Sequence, residues 1–287
     1  MASLRDIKRR IRSVRNTAQI TRAMQMVAAS RMRRAQMRAL AARPYADAIR
    51  TMLGELSQQR SDPSTLHPLL QVRPIRHSAF VVFTSDRGLA GALNGNILRR
   101  ATEEILGQAA DPAVLAVGRK AQDFFVRRGR RLTATFTGLG ERADYPDIAP
   151  IARILIDAYE SHEIDSVDMV FPQFVSTLAQ KPTVKRLLPL RSFEEHGTAL
   201  EFIVEPSPEE IMNALIPRYV EVQLYQILLE TIASEHSARM VAMQNATENA
   251  RDLVQALTLT YNKARQASIT KEITEISGAA EALAASR

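Results

Sequence analysis

LRDIKRRIRSVRNTAQITRAMQMVAASRMRRAQMRALAAR, from Leu4 to Arg43, decides the fold. The stretch has no Gly or Pro and is rich in Ala, Met, Arg and Gln, all strong helix formers. Apolar and small residues recur in it at 3-4 spacing: Leu4, Ile7, Ile11, Val14, Ala18, Thr21, then Ala28, Met32, Ala35, Ala39 and Ala42. That period is a coiled-coil seam, broken once by Gln25. Branched residues fill the first half and small ones the second, so a partner helix must approach closely along the later half. Helical character resumes after Pro44 to about residue 59, with a kink expected at the proline. At about 1.5 Å per residue this helix would be ~85 Å long, too long for a compact domain.

The other end of the chain supplies a matching helix. Ser207-Pro208-Glu209-Glu210 is a helix start, with Ser as N-cap, Pro in the first turn and Glu three residues on. No glycine follows until Gly278, and one proline, Pro217, lies near the beginning. The seam reads Val222, Tyr225, Leu229, Ile232, His236, Arg239, Met243, Ala246, Ala250, Leu253, Leu257, Thr260, Ala264 and Ala267. Seventy or so helical residues make a rod of ~100 Å. His236 and Arg239 intrude on the seam as polar groups, which in coiled coils set register or meet a partner.

Charge supports the pairing of the two ends. Residues 1–43 carry twelve basic residues against one acid, Asp6, a local charge of +11 within a net +7. From Leu200 onward twelve acids face seven bases, and the middle is nearly neutral. Opposite charge at the two ends, with a basic excess left over, predicts an antiparallel coiled coil of the terminal helices.

Between them strand and helix patterns alternate. Strands are expected over Ser78–Thr84, Ala113–Val117, Leu132–Phe136, Val167–Phe174 and Pro182–Pro189. Helices are expected up to about Leu106, over Arg119–Arg128 and over Asp147–His162. Such alternation implies an α/β layer with a mostly parallel sheet. The expected organisation is therefore 1–59 as the first coiled-coil helix, 77–192 as the α/β domain and 207–287 as the second helix. Residues 60–76 and 193–205 read as linkers.

Composition closes off several function classes. With 287 residues, 46% hydrophobic and 24% charged, the chain has ordinary globular composition. It has no cysteine, which excludes disulfides, cysteine zinc sites, thiol nucleophiles and thiol redox switches. No apolar run approaches the roughly 18 to 20 residues needed to span a bilayer. The N-terminus is charged from its fifth residue and lacks an apolar signal core, which predicts retention in a reducing compartment.

No motif amounts to a catalytic constellation. Ser85 to Asn96 follows a strand and opens a helix, where phosphates often bind. Its glycines Gly88, Gly91 and Gly95 match neither the dinucleotide fingerprint nor the phosphate loop, so a tight strand-to-helix turn is the expectation. The histidines His67, His77, His162, His196 and His236 show no metal-ligand spacing. No cofactor, metal or catalytic residue is expected. The Arg-rich helix suits nucleic acid by charge alone, but it offers no aromatic residue before Tyr45. A partner-facing coiled-coil surface is the better reading, with a basic coiled-coil nucleic-acid-binding protein as the alternative. The methionines Met24, Met26, Met32 and Met37 are packing material that also suits an adaptable partner surface.

Three blocks of sequence resemble a known family. The first is Ile7 to Met24, continued by Met26 to Met32, and the second is Ser85 to Asn96. The third joins Ser234-Glu-His-Ser-Ala-Arg-Met240 to Tyr261-Asn-Lys-Ala-Arg-Gln-Ala-Ser-Ile-Thr-Lys-Glu-Ile-Thr-Glu-Ile276. Collinear and spread over the chain, they resemble the gamma subunit of the rotary, F-type ATP synthase, of the bacterial type without the chloroplast redox insertion. The resemblance implies an antiparallel coiled coil beside a Rossmann-like α/β domain. It implies a central-stalk rotor that passes torque from the membrane ring to the catalytic head, coupling proton flow to ATP synthesis or hydrolysis. Implied partners are three alpha and three beta subunits, the epsilon subunit and the membrane c-ring, with no nucleic acid and no direct bilayer insertion. The implied location is the cytoplasmic side of the cell membrane, peripherally, and the chain itself is non-catalytic.

Carried over position by position, the head-facing contacts of that family fall on Arg22, Met24, Arg239, Gln266, Thr270, Glu272 and Glu275. A charge placed at Met24 would pair improperly with a neighbour. The foot, implied around Arg33 to Arg43 and Ser207 to Tyr219, would meet epsilon and the ring. Arg22 and Arg31 stand where Lys is more usual, and Gln25 where an acid is common. Arg for Lys leaves the charge unchanged, whereas Gln25 in place of an acid raises the local positive charge that, by the resemblance, would face acidic loops of beta.

Overall fold

The computed structural model describes residues 3–58, 67–140, 143–190, 205 and 207–285. Helix α1 runs over Leu4–Gln58 and continues through Pro44, which stands exposed in it. A proline on the solvent side loses one backbone hydrogen bond without disturbing the packed face. Between α1 and the last helix lie β1 (Ser78–Phe83), α2 (Leu93–Leu106), β2 (Ala113–Val117), α3 (Arg119–Arg127) and β3 (Ala134–Phe136). They are followed by α4 (Ala149–Glu160), β4 (Ser166–Phe174) and β5 (Gln180–Leu188). Helix α5 spans Pro208–Ala285, and the Ser207 hydroxyl accepts the Glu210 N–H at 3.2 Å, capping it as its sequence predicts.

Most boundaries fall within two residues of expectation. The third strand is shorter, and a single 3₁₀ turn, Tyr145–Ile148, precedes α4. The proposed linker at 60–76 includes another 3₁₀ turn at Pro68–Leu70; its residues 60–66, and 193–204 of the second linker, lie outside the described residues.

The chain divides into two compact units, one built from the ends of the chain up to residue 27 and from residue 240, the other from residues 28–239. In the second unit the strands form one sheet in the order β3-β2-β1-β4-β5. All neighbours are parallel except β4 and β5, which form an antiparallel hairpin. β1 is buried along its whole length, and from Ala79 to Phe83 it is continuously apolar rather than alternating. Its side chains still divide by parity. Phe80 and Val82 join Val114, Ala116 and Val170 under α2 and α3, whereas Ala79, Val81 and Phe83 face α4 and the unit's portions of α1 and α5. Gly118 ends β2 with φ 99°, and a Cβ there would lie 2.1 Å from the Thr84 carbonyl oxygen, so only glycine fits where β2 turns into α3.

In the first unit the seam is legible residue by residue. Leu4, Ile7, Ile11, Val14, Ala18, Thr21 and Gln25 of α1 are all buried or half-buried. Gln25 keeps the 3-4 period, so the seam is not broken there. On α5 the matching set is Met243, Thr247, Ala250, Val254, Leu257, Tyr261 and Ala264. This corrects the expected seam, because Leu253, Thr260 and Ala267 are exposed and Val254, Tyr261 and Ser268 take the inward places. The sequence offers two adjacent small or apolar residues at each of these steps, and only packing selects one. Thr21 and Thr247 meet across the seam with their hydroxyl oxygens 2.7 Å apart. Counting outward from that pair, the steps on α1 read 3-4-3-4-3 down to Leu4 while those on α5 read the same up to Ala264, as an antiparallel coil requires.

Candidate subunit-contact residues

Arg22 and Met24 stand one residue from seam positions Thr21 and Gln25. Arg22 is exposed and Met24 half-buried. The first-unit bases Arg5, Lys8, Arg9, Arg10, Arg12 and Arg15 are likewise exposed, because the seam period leaves them on the outer face. The helix thus presents a basic surface around an apolar stripe.

Gln266, Thr270, Glu272 and Glu275 are also exposed, on the part of α5 beyond Ala264. Ala264 is the counterpart of Leu4 at the start of α1, and beyond it only Ser268 stays half-buried among the described residues. Every residue from Ile269 to Ala280 is exposed, including Ile269 at 46%, Ile273 at 59% and Ile276 at 70%. Intrahelical contacts hold two of the carboxylates: Glu272 accepts from the Ser268 hydroxyl at 3.3 Å, and Glu275 pairs with Lys271 at 3.5 Å. Gln266 and Thr270, four apart, share one face of this exposed helix.

Arg239 belongs to the other unit and has a different environment, at 9% exposure. Its Nη2 donates to Glu235 Oε1 at 2.6 Å and to the Gly88 carbonyl at 3.1 Å. Nη1 lies 3.2 Å from His236 Nδ1, which must accept because a guanidinium cannot. Burial pushes the Glu235 carboxyl above its ordinary pKa, and the Arg239 charge pulls it back. Glu235 was missed in the sequence, although an acid four residues before an arginine on one helix signals such a pair.

The glycine-bearing turn from Ser85 to Asn96 uses its polar groups internally. Asp86 accepts the Arg119 N–H at 2.9 Å through one oxygen and the Gly138 N–H at 2.9 Å through the other. Asn94 accepts the Ser85 N–H at 3.1 Å, and Thr84 Oγ1 accepts the Ala121 N–H at 2.9 Å. Asp86 and Thr84 therefore occupy the amides at the start of α3 that a phosphate would take. Together with the Gly88 carbonyl on Arg239, the turn joins three strand ends to α5. Among the described residues no group of three or more His, Asp or Glu could hold a metal ion, and no helix is long and apolar enough to cross a membrane.

Comparison with known proteins gives this geometry its context. A family model described as "ATP synthase" matches residues 3–283. The ATP synthase gamma chain of Roseiflexus castenholzii is 52% identical, covering 99% of each chain, and that of Pelotomaculum thermopropionicum is 48% identical over 99% of this chain and 100% of its own. Among solved structures, the central stalk and c-ring of the Tetrahymena thermophila mitochondrial ATP synthase includes a chain that is 26% identical with a TM-score of 0.61, covering 79% of this chain and 99% of that one. The rotor of the Euglena gracilis enzyme, 19% identical with a TM-score of 0.65, shares the fold over 93% of this chain and 98% of that one. A match of this extent and identity shows that the chain belongs to the ATP synthase gamma-chain family.

Proposed function

We propose that this gamma chain, a non-catalytic stalk subunit, turns inside a head of three alpha and three beta subunits and carries torque to it from the membrane c-ring. The observation that carries the proposal is the end of α5 from Ile269 to Ala280, where every residue, polar or apolar, is exposed among the described residues. A partner that surrounds it would bury Ile269, Ile273 and Ile276 while Gln266, Thr270, Glu272 and Glu275 take hydrogen bonds at some rotor angles and release them at others. Such angle-dependent contacts bias the conformational equilibrium of each catalytic site in turn. Arg22 and Met24 contact the head from α1, and Arg239 acts there through the Glu235 and Gly88 contacts that hold it.

Residues 1–59 and 207–287 serve as the shaft and 77–192 as its lateral module. The segments 33–43 and 207–219 form the foot that meets epsilon and the ring. The complex sits peripherally on the cytoplasmic side of the cell membrane. A tagged chain expressed in its own host and recovered from solubilised membranes tests this. Alpha and beta at three copies each per gamma, together with epsilon and ring subunits, are expected. Recovery of nucleic acid, or of the chain alone, would exclude the rotor assembly.

A further inference from the structure

β4 is longer than the neighbour it pairs with on its inner side. β1 is in register with it over Ser166–Val170, so Phe171–Phe174 overhang the sheet on that side while still paired to β5. Overhanging backbone groups on an edge need partners. Here α5 supplies them. The Ser234 hydroxyl donates to the Pro172 carbonyl at 2.9 Å, and the Glu230 carboxylate accepts the Phe174 N–H at 2.9 Å. One turn further the Ser237 hydroxyl donates to the Thr177 carbonyl at 2.7 Å, in the turn that closes the hairpin. Lys185 of β5 donates to Gln223 at 2.7 Å. Gln223, Ile227, Glu230, Ser234 and Ser237 form a second 3-4 stripe on α5, distinct from the one that lines α1.

Both serines are fully buried, so these are not incidental surface contacts. Apolar packing alone is non-directional and would let a helix turn about its own axis against the layer it covers. Hydrogen bonds to fixed backbone atoms forbid that rotation.

We propose that Glu230, Ser234 and Ser237 are positioning residues that strap the β4–β5 hairpin to α5, so that torque on the helix is shared with the hairpin instead of being lost in rotation between them. The torque part of this proposal rests on the rotor reading above. The strap itself does not.

The test is hydrogen exchange on the full-length chain assembled in the synthase, comparing wild type, Ser234→Ala/Ser237→Ala and Glu230→Ala. Losing two hydrogen bonds speeds exchange in residues 172–180 by about twentyfold in the serine variant, with β1 and β2 unchanged. Unchanged hairpin exchange in both variants, or equal loss of protection in β1, overturns the strap. The same variants in inverted membrane vesicles should hydrolyse ATP at the wild-type rate and pump fewer protons per ATP. An unaltered ratio with a loosened hairpin overturns the role in transmission. Wild-type chain that fails to restore pumping to membranes lacking gamma would instead overturn the rotor reading.

Discussion

Arg239 and Glu235 form a buried pair at 2.6 Å, and their chemistry sets a clear expectation. Arg239→Met leaves the Glu235 carboxylate buried without its counter-charge, which costs about 3–5 kcal/mol and lowers the denaturant midpoint accordingly. Glu235→Met/Arg239→Met removes both charges and should recover most of that loss. A second residue reports through pH. The Tyr145 hydroxyl donates to Glu221 at 2.6 Å, and burial together with that carboxylate raises its pKa to about 12. The folded chain then holds a proton that the unfolded chain has released above its ordinary value near 10. Its stabilising contribution is therefore complete below about pH 10 and is lost as pH rises towards 12. Tyr145→Phe should flatten that alkaline decline in a series of thermal melts taken from pH 9 upward.

At the scale of the elements, the seam of the first unit separates neighbours that look alike in sequence. Leu253 is 48% exposed, so Leu253→Asp should change stability by no more than about 0.5 kcal/mol. Val254 faces inward next to it, and Val254→Asp should cost about 2 kcal/mol by placing a carboxylate in the seam. Leu257→Asp should behave like Val254→Asp. Thermal melts of the three single variants check the order, and equal effects at 253 and 254 would contradict the register anchored by Thr21 and Thr247. The helices themselves were readable because their period, caps and lack of glycine all agree. Their inward faces were readable to within one residue, because Ala246, Leu253, Thr260 and Ala267 adjoin equally suitable Thr247, Val254, Tyr261 and Ser268. A period of 3.6 cannot choose between such neighbours; contact with the partner helix does.

At the scale of the whole molecule, charge governs association. Residues 1–43 carry +11, and every base among them except the half-buried Arg31 is exposed. On the proposed rotor reading, association with alpha and beta subunits should be steered electrostatically, and its rate should fall by roughly tenfold between about 50 mM and 500 mM salt. Stopped-flow mixing of the chain with alpha and beta subunits measures this. A salt-independent rate would show that shape, not charge, brings them together.

Local rules determined much of this protein from sequence alone. Helix propensity, capping and 3-4 spacing specified two long terminal helices, and alternating apolar runs specified a mostly parallel sheet between them. Both signals depend on residues close along the chain, which is why they survive without a structure. What tertiary structure decided lies in pairs far apart in sequence. Arg239 reads as an open charge in a helix until Gly88, 151 positions away, is found beneath it. Ser234 and Ser237 read as small helix residues until the overhang of β4 brings Pro172 and Thr177 to them. A hydroxyl or guanidinium carries no local sign of a backbone carbonyl that lies far away along the chain. Only the folded backbone places a carbonyl within reach, because the cost of burying a polar group unpaired is settled in three dimensions.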